Sequence, residues 1–66
     1  MQIVINDEPK SLDGPRTVAE LIGQLKLVPQ RVAIEINGQL VRRAEYAQTV
    51  LREGDRVEVV TLVGGG

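Results

Sequence analysis

Sixty-six residues make one domain around one small core, and a chain near this size buries only about 60% of the surface that its unfolded form exposes. The absence of cysteine and histidine excludes a disulfide framework, a thiol nucleophile, a Cys- or His-ligated zinc and a histidine general base. Eight basic against nine acidic side chains, with Tyr46 the lone aromatic, leave neither a polybasic stripe nor a stacking platform for direct nucleic-acid binding.

Met1-Gln2-Ile3-Val4-Ile5-Asn6 alternates, with Met1, Ile3 and Ile5 on one face, and predicts a first strand. Asn6-Asp7-Glu8-Pro9 supplies turn residues, and Lys10-Ser11-Leu12 returns as a short second strand. Asp13-Gly14-Pro15 breaks the chain before the next element. Thr17-Val18-Ala19-Glu20 has the spacing of a capping box, in which the Thr17 hydroxyl accepts from the Glu20 amide and the Glu20 carboxylate accepts from the Thr17 amide. Behind it Val18, Leu21, Ile22 and Leu25 fall on one helical face. Pro29 bars any continuation and biases Val28 towards an extended conformation, so a helix of about ten residues is expected. Gly23 inside that helix has no explanation in the sequence.

Val32, Ile34 and Ile36 alternate with Ala33 and Glu35, so a strand with one buried face follows. Asn37-Gly38 signals a tight hairpin, because a type I′ turn needs φ > 0 at both centres, and Gln39-Leu40-Val41 leads out of it. Arg42 to Arg52 is irregular, with Tyr46, Val50 and Leu51 expected to anchor it over the edge of the core. Glu53-Gly54-Asp55 turns the chain into a last strand, Arg56 to Val63.

This order predicts an α+β domain in which one helix covers one face of a mixed sheet of four to five strands. The order fits a β-grasp, or ubiquitin-like, fold over residues 1–63, followed by a flexible reactive tail at 64–66. From the known topology of that fold, the first and last strands are parallel neighbours at the sheet centre. No apolar run approaches membrane-spanning length, and Asp7 and Glu8 follow directly on the first strand, so a soluble, cytoplasmic protein is expected.

The last strand is apolar on both sides. Val57 and Val59, with Thr61 and Val63, form the inward set, which leaves Glu58, Val60 and Leu62 facing out. By the same alternation Val4 faces out from the first strand. Val4, Val60 and Leu62 are therefore expected to form an exposed apolar strip for docking a partner, unless the 42–51 segment covers it. Arg42-Arg43 reads as a solvated rim and Glu20 as a cap rather than a catalytic acid. Beyond the strip lies Val63-Gly64-Gly65-Gly66. Three residues without side chains, reaching roughly 10 Å when extended, can enter a slot closed to other residues and deliver a carboxylate.

Met1-Gln2-Ile3 with Asn6, Thr17-Val18-Ala19-Glu20-Leu21, Val32 to Gly38, Gly54-Asp55-Arg56-Val57-Glu58 and the closing Val63-Gly64-Gly65-Gly66 resemble, in order and spacing, the thiamine-biosynthesis sulfur carrier family, ThiS. The resemblance spans the chain. One departure is Val41-Arg42-Arg43, where the family often has Val-Pro-Arg after the hairpin, and it bears on the local loop path. The resemblance implies a carrier that is not itself an enzyme and binds no cofactor of its own. A partner adenylating (E1-like) enzyme, using ATP and Mg²⁺, activates the Gly66 carboxylate. A sulfur donor protein then supplies the sulfur of a thiocarboxylate, which passes to thiazole synthase. Gly64 and Gly65 would thread the partner's site. Rival readings are a carrier for tRNA thiolation or molybdopterin synthesis, a ubiquitin-like protein modifier joined through Gly66, and a plain β-grasp interaction domain.

Overall fold

The computed structural model describes residues 1–62. Five strands, β1 (Gln2–Ile5), β2 (Glu8–Ser11), β3 (Val32–Ile36), β4 (Gln39–Val41) and β5 (Arg56–Thr61), form one sheet in the order β2-β1-β5-β3-β4. β1 and β5 are parallel and every other neighbouring pair is antiparallel. The helix α1 (Val18–Gln24) lies between β2 and β3 in the chain, and single 3₁₀ turns at Pro29–Arg31 and Arg43–Glu45 complete the elements.

Both hairpins turn on two consecutive residues with positive φ: Asn6 and Asp7 (49° and 69°), and Asn37 and Gly38 (52° and 84°). Such turns match the right-handed twist of their strands. The first turn is therefore tighter than the four residues expected, and Glu8 and Pro9 already belong to β2. Pro9 pairs with Val4 on an edge strand, where its missing N–H costs no ladder bond.

The capping box of α1 is present: Thr17 Oγ1 accepts from the Glu20 N–H at 3.1 Å, and Glu20 Oε1 accepts from the Thr17 N–H at 2.8 Å. The helix is shorter than expected, and Pro29 is not what ends it. The Lys26 N–H donates to the Gly23 carbonyl and the Leu27 N–H to the Ile22 carbonyl, each at 3.0 Å. This crossed pair closes the helix end, with Lys26 in the left-handed position at φ 61°.

The 42–52 segment serves the other end of α1. The Val18 N–H donates to the Thr49 carbonyl and the Ala19 N–H to the Tyr46 carbonyl, both at 2.9 Å, and the Leu51 N–H donates to the Arg16 carbonyl at 2.8 Å. With Glu20 served by Thr17, the first three helical amides all have partners, as buried backbone donors require. Tyr46 and Leu51 are buried as expected. Val50 is not: it bridges Thr17 across a short antiparallel contact and points to solvent.

The core between sheet and helix comprises Ile3, Leu12, Val18, Leu21, Ile22, Val32, Ile34, Tyr46, Leu51 and Val57. Each large apolar side chain fully buried there contributes roughly 1.5–3 kcal/mol before chain entropy is set against it. The single helix covers one face of the sheet; the opposite face carries the features that point to function.

Candidate docking face and carboxyl-terminal segment

Register assigns the outer face residue by residue. On β5 the outward set is Arg56, Glu58 and Val60, with Leu62 next in alternation. Val60 stands opposite Ala33 of β3, and Glu58 opposite Glu35, which in turn stands opposite Leu40 of β4. Val60, Leu62 and Leu40 expose 55%, 51% and 69% of their surface, far more than core burial would leave them. Leu62 continues the line of β5, because its N–H still donates to the Arg31 carbonyl at 2.7 Å. The backbone bonds that tie the 42–52 segment to the rest of the domain go to the start of α1 and to Arg16 just before it, so that segment is anchored on the helix side of the sheet.

Val60 and Leu62 are therefore neighbours on one open face. The structure does not bring Val4 to them. Val4 shares that face but pairs with Arg56 on one side and Pro9 on the other, and it is half-buried. The parallel register sets it four residues back from Val60 along β5, about 13 Å at the usual rise. Glu58 stands between the two positions. The expected three-residue strip thus shortens to Val60 and Leu62. Leu40 was missed by sequence reasoning although the signal was present: the two-residue turn at Asn37-Gly38 puts Leu40 opposite Glu35, and hence outward.

Charge at this face is mixed. Glu35 and Glu58 are exposed and directly opposed, an arrangement that disfavours the sheet locally. Arg56 Nη2 and Asp7 Oδ1 lie 2.7 Å apart, but both side chains are largely exposed, so this pair adds little to stability. Among the described residues no cluster of three or more His, Cys, Asp or Glu is placed to hold a metal ion. No helix among them is long and apolar enough to cross a membrane. Gly64, Gly65 and Gly66, the residues expected to carry the chemistry, lie outside the described residues.

One helix laid across a mixed five-stranded sheet, with the first and last strands parallel at its centre, defines a ubiquitin-like β-grasp protein. In the sequence only Leu62 and Val63 separate the last strand of that sheet from the glycine segment. The sequence model of the ThiS family matches residues 3–66, and the chain belongs to that family. It is 35% identical to the sulfur carrier protein ThiS of Escherichia coli, over the full length of both chains. The crystal structure of the thiamine biosynthesis protein ThiS from Geobacter metallireducens superposes with a TM-score of 0.86 at 33% identity, covering both chains completely. The chain is also 38% identical over its whole length to a thiazole synthase of Paramagnetospirillum magneticum, of which it spans only 20%.

Proposed function

We propose that this protein is a sulfur carrier of thiamine (thiazole) biosynthesis, a protein co-substrate rather than an enzyme. The observation that carries the reading is the continuity of β5: two exposed apolar residues, Val60 and Leu62, stand immediately before the glycine segment on an otherwise polar strand face. Such a strand can dock a partner while its extension enters that partner's active site.

The chemistry follows from what the chain lacks. A carboxylate is a poor acyl donor until its oxygen becomes part of a good leaving group. In the proposed cycle the Gly66 carboxylate attacks the α-phosphorus of ATP within the adenylating partner, where Mg²⁺ accompanies the nucleotide, and pyrophosphate departs. Hydrosulfide, supplied by a donor protein, then adds to the acyl carbon and gives up its proton. The C–O bond to AMP breaks, and a C–S bond remains as the thiocarboxylate. Having no cysteine, the chain cannot supply that sulfur itself. The acceptor is thiazole synthase. A likeness that spans a fifth of a protein bearing that name supports the pairing, since a carrier-like segment and the synthase share one chain there. Gly64 and Gly65 serve as the backbone-only thread.

Intact-protein mass spectrometry tests this on the untagged chain incubated with adenylating enzyme, ATP and a sulfide source. The expected product is heavier by the difference between sulfur and oxygen, with the change localised to Gly66. Only unmodified carboxylate under these conditions would remove the basis of the carrier reading. A thiocarboxylate consumed by a tRNA-thiolation system or a molybdopterin synthase but not by thiazole synthase would move the protein to a sister pathway. Attachment to target lysines would make it a modifier.

A further inference from the structure

The pairing of β1 with β5 covers only Val4 with Arg56 and Ile5 with Val57 before β1 turns away. One residue then extends the ladder with its side chain. Asn6 first donates its own N–H to the Val57 carbonyl at 2.9 Å. Its side-chain amide next takes both backbone groups of Val59: the Val59 N–H donates to Oδ1 at 2.8 Å, and Nδ2 donates to the Val59 carbonyl at 3.1 Å. One acceptor and one donor aimed at a single residue reproduce what a neighbouring strand would offer. The clamp depends on the turn, because Asn6 reaches Val59 from a left-handed backbone conformation, φ 49°, which asparagine tolerates better than most residues.

Val59 immediately precedes Val60 and stands three residues before Leu62. On the other side β5 is held to β3 as far as Thr61, and Leu62 to Arg31 just before β3. Without the Asn6 amide, the β1 side of the ladder would stop at Val57, and the segment bearing Val60 and Leu62 would be paired on one flank only.

We propose that Asn6 is a positioning residue for carboxyl activation: by clamping Val59 it fixes the part of β5 that presents Val60 and Leu62 and sets the point from which Gly66 is delivered. This rests on the carrier reading. Asn6 acts before chemistry, on how the carrier seats in its adenylating partner, and not on the reacting carboxylate.

The test compares the full chain with Asn6→Gly, which accepts positive φ but has no amide, and Asn6→Asp, which keeps an acceptor for the Val59 N–H but loses the donor. The loss of two neutral hydrogen bonds sets the scale. Amide exchange at Val59 should therefore quicken in Asn6→Gly about tenfold more than at Leu21, a core residue of α1 whose N–H is held by the Thr17 carbonyl. With the adenylating enzyme and ATP, the KM for Asn6→Gly as protein substrate should rise by a factor of about three to ten with kcat unchanged, and Asn6→Asp should lie between Asn6→Gly and the unsubstituted chain. An unsubstituted chain that is adenylated, with Asn6→Gly matching it in KM, overturns the positioning role. So does a fall in kcat alone, or Val59 exchange that tracks Leu21. An unsubstituted chain that is never adenylated overturns the carrier reading itself and the role of Asn6 with it.

Discussion

Val60 lies directly across from Ala33 on the sheet face opposite α1, and the small alanine leaves one flank of the valine open. A larger neighbour would have covered more of that side chain at no cost to the core, which is on the other face. Leu62 follows on the same line, exposed to a similar extent.

Leu62 lies beyond the last residue of β5 and outside the core, so Leu62→Asp should change stability by no more than about 0.5 kcal/mol. Truncating or charging an apolar anchor at an interface typically costs more than about 1–2 kcal/mol of binding. The KM of the adenylating enzyme for this variant should therefore rise about tenfold or more, with the thermal midpoint unmoved. A melted domain would mean that Leu62 supports the fold. Unaltered affinity would mean that docking uses another surface.

Glu35 and Glu58 give a second handle on the same face. Glu58→Lys replaces a like-charged cross-strand pair with an opposite-charged one and should stabilise the domain by roughly 0.2–1 kcal/mol. An acidic pair kept at some cost to the sheet suits a partner surface with cationic groups. The same substitution should therefore slow association with the adenylating enzyme at low ionic strength, and salt should erase the difference. Stopped-flow association at two salt concentrations, alongside thermal melts, reads both effects. A stabilised variant that associates at the original rate would show that the acidic pair lies outside the contact.

Much of this organisation was legible in the chain, because the informative signals are local. Thr17 and Glu20 are three residues apart and made the cap they spell. Asn37 and Gly38 made the hairpin, and alternation fixed which residues of β3 and β5 face inward. Relationships set by long-range register were less accessible. Nothing near Val4 says that it will stand beside Arg56 rather than Val60, because parallel strands are not joined by a turn that fixes their offset. The exact helix end is less legible for a different reason. Lys26 adopts a conformation usually left to glycine or asparagine, so the local sequence carried no stop signal ahead of Pro29. The clamp from Asn6 to Val59 spans nearly the whole chain and has no signature beyond an asparagine in a turn.

Gly23 remains the least economical residue of α1. It is exposed, and a β-carbon built there would meet nothing within 4 Å. Its backbone is not among the glycines with positive φ, so neither packing nor conformation requires glycine. Gly23→Ala should stabilise the protein by about 0.5–1 kcal/mol, chiefly by restricting the unfolded chain. In a domain this small that corresponds to a rise in thermal midpoint of several degrees, roughly 2–8 °C. Adenylation kinetics should be unchanged, because α1 lies on the face away from Val60 and Leu62. A slower reaction without a change in stability would show that the partner contacts the helix as well.

The glycine segment gives the sharpest separation between carrier and plain interaction domain. If Gly65 threads a slot built for backbone alone, the two methyl groups of valine must either displace the walls of that slot or keep the carboxylate from the nucleotide. Overpacking a well-fitted site costs typically 1–3 kcal/mol, so Gly65→Val should reduce adenylation about ten- to hundredfold. The substitution falls beyond Val57, the last core residue among the described residues, so melting should not change. Pyrophosphate release by the adenylating enzyme, measured at saturating ATP with Gly65→Val and with Gly65→Ala, distinguishes a graded steric effect from loss of binding. A single methyl group should give the smaller defect. Equal and normal rates for both variants would mean that the segment is not enclosed. In that case the specificity of the carrier would rest entirely on the face built around Val60 and Leu62.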